Sequence, residues 1–190
     1  NKKINNIVLA TSNSSENDIL CESAKKYDIE IYRGRENDVL SRFVEISKLY
    51  DADIIIRICA DNPFICSSEI DRILNIFQKE KPDYAFNHIP RFNNNYVDGV
   101  GVEVISASLL HQLSDTDLLP FHKEHVTSFI WENLTKYKIS TVSAPKKYFG
   151  PNIKLDVDTK DDLEFLEENL NIQQLNNFTP ETYDAGMYML

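Results

Sequence analysis

Ile54-Ile55-Ile56-Arg57-Ile58-Cys59-Ala60-Asp61-Asn62-Pro63 is the stretch on which the fold turns. A run of apolar, β-branched residues interrupted only by Arg57 reads as a strand buried on both faces, and the acid and proline behind it mark an exit into a loop. Such a strand belongs in the middle of an open α/β sheet. Asp61 then stands at its carboxyl end, where these sheets bind ligands because strand ends and departing loops line a crevice. Asp61 can equally cap a turn with Asn62 and Pro63, as Asp and Asn often do. Position alone leaves both readings open.

On either side of this stretch, strand and helix patterns alternate. Asn6 to Ser12 reads as a short strand. Ser15 with Asp18 forms a capping-box pattern, followed by Ile19, Leu20, Ala24 and Tyr27 at helical spacing. Glu30 to Gly34 reads as a second strand, and Val39, Leu40, Phe43, Ile46 and Tyr50 mark one face of the next helix. Beyond Pro63, Ser68 with Asp71 offers another capping box ahead of Ile70, Ile73, Leu74 and Phe77, and Asp83 to Asn87 is a further strand. This alternation predicts a three-layer α/β/α domain around a mostly parallel, mixed sheet with right-handed crossovers.

The second half is less regular. His88 to Asp98 is polar and reads as a loop over the sheet edge. Val100 to Ile105 sets Gly101 and Glu103 against Val102 and Val104, the pattern of a strand with one polar face. Leu109, Leu110 and Leu113 give a short helix, Phe121 to Leu134 a second, and Tyr137 to Ser143 a strand. Ile153 to Asp158 reads as a strand ending in acids, and Thr159 with Asp162 opens a helix carrying Leu163, Leu166 and Leu170. The organisation expected is one domain over 1–170 and a tail over 171–190.

Composition narrows the function. A chain of 190 residues suits one well-cored domain, and 42% hydrophobic with 26% charged residues is ordinary for a globular protein. No apolar run approaches the ~20 residues of a membrane span. A net charge of −10 argues against a nucleic-acid backbone as partner. It still admits a small anion where metal ions and local Arg or Lys offset the field. Cys21, Cys59 and Cys66 form no CxxC pair and read as reduced thiols of a cytoplasmic protein. His122 and His125 lack zinc-protease spacing and read as a solvated or substrate-facing helix face.

Asp156-Val157-Asp158 is the second chemical anchor. On a strand the two carboxylates point to one side, so both can reach one cation. With Asp61 they make an oxygen-ligand set suited to Mg²⁺, which keeps its other positions for water and substrate phosphates. The alternative is that Asp158 answers the dipole of the following helix while Asp156 faces solvent. Arg33, Arg42 and Arg57 can offset phosphate or sugar carboxylate charge; for Arg57 an internal ion pair is an equal alternative.

Taken in order, Ala10-Thr11-Ser12, Arg33-Gly34 with Asp38-Val39-Leu40-Ser41-Arg42, Arg57 to Pro63, Asp98-Gly99 with Glu103, Glu124-His125-Val126-Thr127 and Asp156-Val157-Asp158-Thr159 resemble the cytidylyltransferase family. The nearest likeness is to its SpsF-like branch, similar to the synthetases of CMP-linked acidic sugars, and it runs from about Asn6 to Leu170. The resemblance implies a nucleotide-diphospho-sugar transferase-like fold. It also implies a Mg²⁺-dependent reaction in which a sugar hydroxyl attacks the α-phosphate of CTP and pyrophosphate leaves, for surface polysaccharide. Asp61, Asp156 and Asp158 match the family's metal-binding acids, and Asp61, Asp158 and Arg57 are the catalytic candidates. Ala10, Thr11 and Ser12 match a segment lining the nucleotide pocket; Asp98, Gly99, Glu103 and His125 match the half that receives the sugar. CTP and an acidic sugar are the expected partners, and a homodimer through the Val100 to Leu134 region is expected.

Ala60 departs from the Gly usual before the metal-binding acid. The family also opens with a strand and a phosphate-cradling Gly- and Arg-containing loop, which the resemblance places ahead of Asn1, so an N-terminally truncated chain with an exposed sheet edge is expected. A metal-dependent nucleotide-sugar glycosyltransferase and a non-catalytic nucleotide- or partner-binding domain are the alternatives.

Overall fold

The computed structural model describes residues 3–169, so the predicted tail and Leu170 lie outside the described residues. The first strands, β1 (Val8–Ser12) and β2 (Glu30–Gly34), pair in parallel as a two-stranded sheet. Between them, Ser14 rather than Ser15 caps a 3₁₀ turn (Ser15–Asn17) that runs into α1 (Asp18–Lys26). Helix α2 (Val39–Leu49) starts where the Asp38 carboxylate accepts from Ser41 N–H at 3.0 Å, a side-chain cap for an otherwise unpaired helical donor.

A second, four-stranded sheet holds β3 (Ile54–Arg57), β4 (Tyr84–Phe86), β5 (Glu103–Ser106) and β6 (Ile139–Thr141) in the order β3-β5-β4-β6. Strand β5 runs antiparallel to both β3 and β4, while β4 and β6 are parallel. The Ile-rich β3 therefore stands at an edge of its sheet, half-buried and ending at Arg57, and the centre belongs to β5 and β4. Glu103, expected on a polar face, is 1% exposed because β5 is flanked on both sides.

Period-two alternation feeds a core on each face of this sheet. Ile54, Ile56, Ala85 and Val104 face one side, where α3 (Ser67–Glu80) packs with Ile70, Ile73, Leu74 and Phe77. Ile55, Tyr84, Phe86 and Ile105 face the other, against Leu40 and Val44 of α2 and Leu109, Leu110 and Leu113 of α4 (Ala107–Ser114). Helices, mixed sheet and helices make three layers.

Three predicted elements differ. Helix α3 begins one residue before Ser68, with Cys66 at its cap instead of a Ser68–Asp71 box. The helix expected over Phe121 to Leu134 is two short ones, α5 (Pro120–Glu124) and α6 (Ser128–Glu132), followed by a 3₁₀ turn (Leu134–Lys136). The break at His125 to Thr127 lets Val126 enter the core and Thr127 reach a buried acid. Ile153 to Asp158 is no strand but an extended segment with one bridge, Asp98 to Lys154, because its backbone is shared between two partners. The Thr159–Asp162 box is present in both directions and opens α7 (Lys160–Asn169). No helix among the described residues is long and apolar enough to cross a membrane.

Candidate active site

Three backbone hydrogen bonds gather the acids. Val157 N–H donates to the Asp61 carbonyl at 2.9 Å, Leu155 N–H to the Asp98 carbonyl at 3.1 Å, and Asp98 N–H to the Ile153 carbonyl at 2.9 Å. Gly99 makes the approach feasible: its φ is +93°, and a Cβ there would collide with the backbone of Leu155 and Asp156. Asp61 itself lies in a turn beyond β3, closed by Asn62 N–H donating to the Cys59 carbonyl at 3.2 Å. Asp61 thus sits in a turn and within reach of the field of Asp156 and Asp158.

The charges respond to this crowding. Burial pushes the Asp61 carboxyl up, and Asp158 and Asp156 push it further. Asp98 is raised by burial and then by Asp156. Lys154 answers part of the field, its Nζ lying 3.0 Å from both Asp158 and Asp162 and 3.6 Å from Asp156. That ammonium, with the Thr159 hydrogen bonds, holds Asp162 down to about 2. The other oxygen of Asp156, Oδ1, is buried with no hydrogen-bond partner. A buried, unpaired carboxylate oxygen is the kind of hard ligand that fits Mg²⁺, here with the Lys154 ammonium beside the same carboxylates. Among the described residues, no three His, Cys, Asp or Glu side chains converge closely enough to share one ion. Asp61, Asp156 and Asp158 are neighbours in field, not a closed cage.

A buried polar network is centred on Glu103. Its carboxylate pairs with Arg57, directly opposite on β3, and accepts hydrogen bonds from Tyr84 Oη and, at 3.0 Å, from Thr127 Oγ1. His88 Nδ1 stands 3.7 Å from Glu103 and 3.3 Å from Tyr84 Oη. Burial alone would raise the Glu103 carboxyl, but Arg57, His88 and the Tyr84 hydroxyl override it and hold it at about 2. Burial drives His88 down against the pull of Glu103, so its imidazole is neutral at pH 7.

The remaining predicted residues make contacts of their own. Thr11 and Ser12 are buried at the end of β1, where the Ser12 hydroxyl accepts from Ser14 N–H and Asn17 Nδ2. Arg33 bonds Asp18 and the carbonyls of Ser12 and Ser14, and Arg42 bonds the carbonyls of Ala10 and Glu36. Both guanidiniums clamp loops around β1. Arg57 takes the internal ion pair of its two readings. His125 is exposed against the Phe121 ring, while His122 is buried, paired with Glu132 at 2.9 Å, so the two do not share a solvated face. Thr127, Tyr84, His88 and Lys154 were not singled out from sequence. Lys154 has a signal in the alternation Lys154-x-Asp156-x-Asp158, and Thr127 closes the Glu124-His125-Val126-Thr127 motif without a role of its own.

Comparison with known proteins adds to this geometry. The chain is 31% identical over 167 residues to the Bacillus subtilis spore coat polysaccharide biosynthesis protein SpsF, covering 87% of this chain and 67% of that one. It is 29% identical over 185 residues to an uncharacterized protein of Methanocaldococcus jannaschii, covering 93% and 74%. Among solved structures, a cytidylyltransferase from Leptospira borgpetersenii superposes with a TM-score of 0.76 at 28% identity, over 86% of this chain and 67% of that one. The CMP:2-keto-3-deoxy-manno-octonic acid synthetase complexed with CTP shares the fold, with a TM-score of 0.57 at 14% identity over 86% and 79%. The family model for cytidylyltransferases matches residues 1–183, nearly the whole length, and the chain belongs to that family.

Proposed function

We propose that this protein transfers CMP from CTP to an acidic sugar of the nonulosonic type, releasing pyrophosphate, in the making of a surface polysaccharide or glycan. Family membership supports the transfer. The observation that carries the site is the convergence of Asp61, Asp98, Asp156 and Asp158 through three backbone hydrogen bonds, with the Asp156 Oδ1 atom left buried and unpaired. Asp156 and Asp158, with Asp61 beside them, are the residues that would hold Mg²⁺; the bound ion supplies charge neutralisation for the triphosphate and the departing pyrophosphate. Lys154 contributes a cation at the same carboxylates, and Gly99 fixes how closely the Asp98 and Asp156 segments approach. Positioning and charge cancellation are most of what such a displacement needs.

The test is pyrophosphate release by the purified protein with CTP, Mg²⁺ and a panel of nonulosonic acids. Asp158→Asn is expected to lower turnover at least 100-fold, a loss of about 3 kcal/mol of transition-state stabilisation. Undiminished turnover in that variant, or no pyrophosphate from CTP with any acid, would overturn the reading.

A further inference from the structure

The loop after β4 carries an arginine, Arg91, with no carboxylate partner among the described residues. Arg33, Arg35, Arg57 and Arg72 each pair with a carboxylate, and Arg42 bonds two backbone carbonyls. Arg91 has neither among the described residues, in a chain whose net charge is −10. Its guanidinium instead lies over the indole of Trp131, 4.1 Å from the ring centroid. A guanidinium held over an aromatic face by its charge leaves N–H groups available to an anion.

This placement is built, not incidental. Phe92, Asn93 and Asn95 all have left-handed backbone, with φ of 51°, 58° and 60°. Asn94, 1% exposed, ties the loop down: its Nδ2 donates to the Ile89 carbonyl at 2.9 Å, and its carbonyl accepts from Ala144 N–H. Trp131 is fixed in turn by edge contacts with Phe86 and Tyr84, at 4.9 and 5.7 Å, and by Phe92 stacked at 6.0 Å. Strained backbone held by a buried side chain is how proteins store a preset geometry at a binding site.

The loop also adjoins the acidic cluster. Gly101 is wedged between His88, at the start of the loop, and the side chain of Asn62 beside Asp61; a Cβ on Gly101 would lie 2.6 Å from His88 Cβ and 3.3 Å from Asn62 Nδ2. The field of Arg91 is felt at His88, whose imidazole is neutral. A guanidinium with no carboxylate partner among the described residues, beside an indole surface, suits a carboxylate carried on a carbon skeleton, which it can bind through two parallel N–H donors.

We propose that Arg91, laid on Trp131 by the loop pinned at Asn94, binds the carboxylate of the acceptor sugar and makes residues 88–95 the segment that selects acidic over neutral sugars. This rests on the function proposed above, but its test requires no turnover. Trp131 is the single tryptophan of the chain, so its fluorescence reports the site directly. Titration with N-acetylneuraminate and 3-deoxy-manno-octulosonate should give a saturable change, with the neuraminate methyl ester binding at least tenfold more weakly. Arg91→Gln should weaken the acid at least tenfold while leaving the ester and the melting temperature unchanged, and Arg91→Lys should fall between. Equal binding of acid and ester, no effect of Arg91→Gln, or no response to any acid in a folded protein would overturn the proposal. A response to inorganic phosphate alone, lost in Arg91→Gln, would assign Arg91 to a phosphate and overturn it too. An Arg91-dependent, carboxylate-specific response without pyrophosphate release from CTP would instead leave the site standing and overturn only the transfer reaction.

Discussion

Glu103→Gln tests whether the buried network holds the molecule together. The substitution keeps the shape and one acceptor oxygen but leaves Arg57, whose side chain is 19% exposed, without its counter-charge. Removing one partner of a buried ion pair typically costs about 3–5 kcal/mol, and the partial exposure of Arg57 favours the lower end. An independent route agrees: a carboxyl held at about 2 in the fold against 4.5 ordinarily is worth about 3 kcal/mol of stability at neutral pH. At this chain length about 3 kcal/mol is roughly a 6–12 °C fall in Tm. The assay is urea unfolding followed by Trp131 fluorescence, whose ring touches Tyr84 and Phe86 beside the network. Because the folded carboxyl sits below its unfolded value, the wild-type advantage is full above pH 4.5 and fades as pH falls toward 2. The gap between wild type and Glu103→Gln should therefore narrow on acidification. A gap under about 0.5 kcal/mol at pH 7, or one that does not change between pH 7 and 3, would refute a stabilising ion pair at this position.

Two further outcomes follow from the site. Gly99→Ala forces a side chain onto the backbone of Leu155 and Asp156 at a left-handed φ, so thermal melts should show a loss of at least about 1–3 kcal/mol; an unshifted melt would mean the two segments do not approach as closely as described. Lys154→Gln removes the ammonium that Asp156, Asp158 and Asp162 share. An NMR titration should then show the Asp162 carboxyl rising from about 2 toward the ordinary range, and no movement would discount Lys154 as its partner.

The three-layer α/β architecture was legible because hydrophobic periodicity reports burial on one face, and most elements are short and amphipathic. Glu30 to Gly34 and the Thr159–Asp162 box match their predicted places residue for residue. The rank of β3 was not legible. Three isoleucines signal an apolar environment, but whether a strand is flanked on both sides depends on pairing, and β5 entered the sheet antiparallel between β3 and β4. The same insertion buried Glu103, which alternation alone had placed on a polar face. At the site, the grouping of Asp61 with Asp156 and Asp158 is legible in the sequence, but the backbone bonds that bring their segments together are not. Gly99 stood out as Asp-Gly, a turn signal, while its actual use is close approach to Asp156. Thr127 was overlooked for the more conspicuous His125, since nothing local shows that the helix breaks there and turns Thr127 inward.

The bonds that gather the acids have a consequence for the order in which the chain takes shape. Val157 closes on Asp61 across a loop on the order of 100 residues, a contact whose closure entropy is recovered only when the sheet between them exists. The Asp156–Asp158 segment is tied by isolated bonds and not by a ladder, so late docking in folding and local opening in the native state are the expected behaviour. Its amides at Leu155 and Val157 are therefore expected to exchange with solvent faster than those of β4 and β5 in a native-state exchange measurement. The candidate site rests on backbone held by isolated bonds, and a ligand that bridges Asp61 to Asp158 is expected to slow that exchange without touching the core.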